Sequence, residues 1–84
     1  MKILKTYNEL FESNIKILDF SNKKILELPE LPNTLEKLDC ENNQLKELPE
    51  LPESLEKLYC SYNELIELPE LPDSLKELYL IIIK

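Results

Sequence analysis

The sequence predicts an α/β-type solenoid, a chain wound into short stacked coils with a parallel β-sheet on its concave side and extended segments on its convex side. Three observations predict it. Leu-Pro-Glu-Leu-Pro occurs at 28–32, 48–52 and 68–72, always 20 residues apart. A fixed period of that length marks one supersecondary unit stacked on copies of itself. Between the prolines the leucines keep their places, so that Leu35, Leu38 and Leu45 recur as Leu55, Leu58 and Leu65. The chain also has no glycine and six prolines, all six inside those five-residue segments.

The elements follow in order. Residues 1–14 lie outside the repeat and read as an N-terminal cap. Ile3, Leu4, Tyr7, Leu10 and Phe11 recur at helical spacing, which predicts a short helix over about 6–12, or a degenerate strand, closing the first unit's core. Stacked arrays require such caps. Repeat units then run near 15–34, 35–54 and 55–74, with a partial unit at 75–84. In each, a stretch such as Lys37-Leu38-Asp39-Cys40-Glu41 alternates polar and apolar residues. A period of two makes a short strand with one buried face. Proline fixes φ and donates no hydrogen bond, so the Leu-Pro segments are neither helix interiors nor central strands. They are expected to be extended and polyproline-like on the convex side, with Leu31, Leu51 and Leu71 pointing inward. Asn43 and Asn63 stand where the strand turns into the return path. Their amides are expected to form a buried ladder that satisfies backbone groups left unpaired by the turn.

The pattern L-x-x-L-x-C-x-x-N-x-L-x-x-L-P-x-L-P, read from residue 35, resembles the leucine-rich repeat. It is most similar to the short 20-residue class found in secreted bacterial effectors. The resemblance covers residues 15–80. Two positions depart from it: Lys23 stands where Asn43 stands in the next unit, and Ile83 stands there in the last. The turn at Lys23 is therefore expected to be looser or closed by other groups. The resemblance implies a right-handed coil and partners bound on the concave sheet. Some effectors of this class are ubiquitin ligases, but through a separate domain that these 84 residues do not match, so that activity does not carry over.

Composition narrows the function. Seventeen acidic against ten basic residues give a net charge of −7. That sign repels phosphate backbones and argues against nucleic acid. Histidine, the commonest general base and metal ligand, is absent. Without glycine there is no phosphate-cradling loop. The longest apolar run, residues 78–83, is six residues, and a membrane-spanning helix needs about 20. No secretory leader is visible in Met1-Lys2-Ile3-Leu4-Lys5. Cys40 and Cys60 lie one period apart and read as small apolar core residues rather than as a disulfide or half of a metal site. Reduced thiols favour an intracellular home. The expectation is a protein-binding module that is not an enzyme and takes neither cofactor nor metal.

Where the partner would sit follows from the register. One outward column is Ile17, Lys37, Lys57 and Glu77, the next Asp19, Asp39, Tyr59 and Tyr79, the third Ser21, Glu41, Ser61 and Ile81. The candidate protein-binding residues are Lys37, Lys57, Asp19, Asp39, Tyr59, Tyr79 and Glu41, since tyrosine is enriched among interface hot spots. Asp19 and Asp39 stand side by side, but no other polar group converges on them, so acid–base or calcium chemistry is not expected. Glu27, Glu47 and Glu67, like Glu30, Glu50 and Glu70, read as solvated columns. The alternative role is structural. Leu78, Leu80, Ile81, Ile82 and Ile83 form an uncharged strand-forming run that is expected to pair with a second copy as a homodimer.

Overall fold

The computed structural model describes residues 14–81 of the chain. The expected cap helix at 6–12 lies outside the described residues, as do Ile82 and Ile83. Four strands of three residues each follow one another: β1 (Ile17–Asp19), β2 (Lys37–Asp39), β3 (Lys57–Tyr59) and β4 (Glu77–Tyr79). They form one sheet in the order β1-β2-β3-β4, every neighbour parallel. The register is one whole period per step, with Leu18, Leu38, Leu58 and Leu78 paired in a row. Among the described residues no helix is long and apolar enough to cross a membrane.

The period sets the packing. Leu35, Leu38, Cys40 and Leu45 of one unit and Leu55, Leu58 and Cys60 of the next are fully enclosed, and Leu28, Leu31, Leu48, Leu51 and Leu65 join the same core. Leucine sits over leucine because each coil returns to the same register, and each buried side chain contributes about 1.5–3 kcal/mol.

The Leu-Pro segments contain no helix or strand and end in a tight turn. Leu35 N–H donates to the Pro32 carbonyl at 3.2 Å, and Leu55 and Leu75 repeat this on Pro52 and Pro72 at 3.1 Å. A hydroxyl column stitches these turns to the unit before. Thr34 Oγ1 donates to the Ile15 carbonyl at 2.7 Å, Ser54 Oγ to Leu35 at 2.7 Å and Ser74 Oγ to Leu55 at 2.6 Å.

One expectation about the core is corrected. Leu31 and Leu51 point inward at 4% and 6% exposure, but Leu71 is 40% exposed. Each of its two equivalents is followed by a further Leu-Pro segment one period on, and among the described residues Leu71 is not.

Candidate functional site

The sheet's outer face displays the two columns set by the register, Ile17-Lys37-Lys57-Glu77 and Asp19-Asp39-Tyr59-Tyr79. Parallel in-register strands hold neighbours in a column about 4.8 Å apart. That spacing lets the two tyrosines stack, with ring centroids 4.7 Å apart and planes inclined by 29°. Lys37 Nζ stands over the Tyr59 ring, 5.2 Å from its centroid, close enough for a cation–π attraction. Lys57 Nζ pairs with Glu77 Oε2 at 3.5 Å. Both tyrosine hydroxyls donate to Glu77 Oε1, each at the long distance of 3.5 Å. Partial burial, and then the Glu77 carboxylate, push the Tyr59 phenol above its ordinary pKa, so it stays protonated and able to donate.

The acidic half of the face is built differently. Asp19 Oδ1 accepts from Ser21 N–H at 2.9 Å and from Ser21 Oγ at 2.6 Å, and these two bonds hold its carboxyl below the usual range. Asp39 Oδ1 accepts from Glu41 N–H at 3.1 Å. In both units the aspartate closes its own strand end with one oxygen. Tyr59 and Tyr79 occupy the same column and have no carboxylate to do this.

Ser61 takes over that task. Its Oγ accepts from Ile81 N–H at 3.0 Å, and the residue is fully buried. This corrects the expectation that position 61 faces outward with Ser21, Glu41 and Ile81. Once position 79 is tyrosine, the amide two residues on needs another acceptor, and the serine of the preceding unit turns in to supply it.

The asparagines sit inside, 8% exposed each. Asn63 Oδ1 accepts from Leu45 N–H at 3.0 Å, and its Nδ2 donates to the carbonyls of Cys40 at 2.9 Å and Cys60 at 3.2 Å. Asn43 Oδ1 accepts from both Lys23 N–H and Ile25 N–H at 3.0 Å, and its Nδ2 donates to Phe20 O at 2.8 Å and Cys40 O at 3.1 Å. Each amide thus completes the turn of the unit before its own, and the turn at Lys23 is closed by Asn43. That turn also differs in shape, with Lys24 at φ 56°.

Cys40 and Cys60 are buried free thiols. Burial pushes them up to about 12 and about 11, with nearby groups adding to the shift. They are therefore neutral and poor nucleophiles at neutral pH. An open groove of about 420 Å³ on the Leu-Pro side carries Glu50, Glu53, Glu70 and Asp73. Among the described residues, no three acidic or cysteine side chains are placed to hold a metal ion.

Sequence reasoning did not single out Tyr62. It is 49% exposed at φ 59°, in the left-handed region. The signal was present, since its column equivalents are Asn22 and Asn42, residues that tolerate that conformation.

Two comparisons with known proteins agree with this architecture. The family profile described as Leucine Rich Repeat matches residues 34–55 and 54–78. The solved structure of YopM from Yersinia enterocolitica WA-314 is similar, with a TM-score of 0.78 and 46% identity over 83% of this chain. The chain spans 16% of the length of that protein. No curated protein gives a significant match.

Proposed function

Because the chain belongs to the leucine-rich-repeat family, whose stacked units serve as protein-interaction modules, we propose that it binds a protein partner across the concave, outward side of its sheet. The contact residues are Lys37, Lys57, Asp19, Asp39, Glu41, Tyr59 and Tyr79. The observation that carries this reading is the Tyr59–Tyr79 stack. Two large rings stand on neighbouring strands joined by backbone bonds, and Tyr79 is half exposed. Pre-ordered aromatic side chains lose little freedom on binding, which is where rigid surfaces gain affinity. The polar groups described on this face pair with one another, Glu77 with Lys57 and with both tyrosine hydroxyls, which suits a surface for recognition.

A second reading has its own observation. Leu78 is 38% and Ile81 50% exposed, whereas Leu38 and Leu58, the equivalents of Leu78, are fully covered. An apolar layer beside an edge strand is a pairing surface, and a second copy of the chain carries a layer of the same kind. Leu78, Leu80 and Ile81, with Ile82 and Ile83 beyond the described residues, would form that contact.

One pair of variants tests both. Tyr59→Ser with Tyr79→Ser is expected to abolish capture of a protein partner from lysate while leaving the sedimentation coefficient as in the wild type. Leu78→Lys with Ile81→Lys is expected to keep capture and shift sedimentation from dimer to monomer. Undiminished capture by the tyrosine variant overturns the first reading. A wild-type chain that sediments as a monomer at high micromolar concentration overturns the second.

A further inference from the structure

Tyr62 holds a backbone conformation that tyrosine seldom adopts. Asn22, Asn42 and Tyr62 share a left-handed turn, at φ 57°, 57° and 59°. The two asparagines tolerate that backbone and join each other, Asn42 Nδ2 donating to Asn22 Oδ1. A tyrosine there carries backbone strain and breaks the amide column. Strained residues that persist in this way cluster where binding occurs.

Its position supplies the second half of the argument. Tyr62 N–H donates to the Ile81 carbonyl at 3.0 Å, and Ile81 lies two residues past Tyr79. Tyr62, Tyr79 and Ile81 are 49%, 51% and 50% exposed. Tyr62 is thus tied by its backbone to the segment that follows Tyr79, and the neighbouring strand β2 carries Asp39 and leads into Glu41. The chain itself shows what these rings attract, because Lys37 Nζ already stands over Tyr59. The chain as a whole has the matching sign, with a net charge of −7, and on the face itself the Lys57 cation is paired with Glu77.

We propose that Tyr62 contacts the partner and that the segment it receives is basic, an arginine or lysine side chain lying on the tyrosine rings with Asp39 and Glu41 beside it. This rests on the concave-face reading and names its occupant. Flat cations suit such a seat, since a guanidinium stacks on aromatic faces and pairs with carboxylates at once. Phosphate-bearing partners are disfavoured by the same charges.

The probe is an array of decapeptides sharing one serine, leucine and phenylalanine frame and carrying paired arginines, lysines, glutamates or no charge. The labelled chain is applied at about 0.15 M salt, where long-range attraction is screened. Arginine and lysine frames are expected to retain it. For the tightest of them, Tyr62→Asn is expected to weaken binding about tenfold, while Tyr62→Phe stays close to wild type. Tyr62→Asn also restores the amide column, so its Tm is expected to rise by roughly 4 °C, which separates lost contact from lost fold. Retention of neutral or acidic frames alone, no retention at all, or undiminished affinity in Tyr62→Asn overturns the proposal. If Tyr59→Ser with Tyr79→Ser abolishes peptide binding and Tyr62→Asn does not, this inference falls and the concave-face reading stands. If neither does, both fall.

Discussion

Asn63 binds two layers together through one amide, accepting from Leu45 N–H and donating to carbonyls on both sides of the step. Truncation strands several buried backbone groups at once, and each unsatisfied group costs about 1–3 kcal/mol. Asn63→Ala is therefore expected to destabilise the chain by about 3 kcal/mol, read from urea unfolding. Asn63→Asp is expected to fare no better, because a carboxylate keeps the bond from Leu45 N–H but sets negative charge against the Cys40 and Cys60 carbonyls. A loss below about 0.5 kcal/mol in the alanine variant would show that the amide does not join the layers. The asparagines were legible from their period. Their backward reach was not, because a period shows which residues stack but not which neighbour an amide serves. Ser61 was illegible for a related reason. Its column holds serine, glutamate and isoleucine, and its burial follows from the missing carboxylate at Tyr79, a need that arises only when the strands are paired.

At the scale of the element, each strand is three residues long with a single leucine aimed at the core. Polar–apolar alternation and the period made this visible in the sequence, together with the pairing of Lys37 with Lys57 and Asp39 with Tyr59. What the period cannot convey is the difference between an inner and an outer layer. Leu58 and Leu78 are the same letter in the same place, yet one is enclosed and the other 38% exposed. Leu58→Ala is expected to cost about 3–4 kcal/mol, since it removes a buried side chain and leaves a cavity between two layers. Leu78→Ala is expected to cost about 1 kcal/mol. Chemical denaturation of the two variants checks this, and equal losses would mean that the outer layer is as well covered as the inner one. Leu71 went the same way. Its letter predicts burial, and its neighbours decide otherwise.

Among the described residues each strand touches its neighbours in the array, so stability is built up layer by layer and interface by interface along one continuous core. Opening should begin at the outer layers. Native-state hydrogen exchange is expected to show the strongest protection at the amides of Cys40 and Lys57, which bond across the β2–β3 step. Protection should weaken toward Phe20 on one side and Glu77 on the other. Uniform protection across all four strands would mean the array opens as one block. The backward reach of the asparagine amides adds a time order to this picture. A turn near Leu45 is complete only when Asn63, 18 positions later, has left the ribosome. At about 5–20 residues per second this lag is roughly one to four seconds per coil. During translation the newest layer is always the unlocked one, and it waits for the next to emerge before it can set.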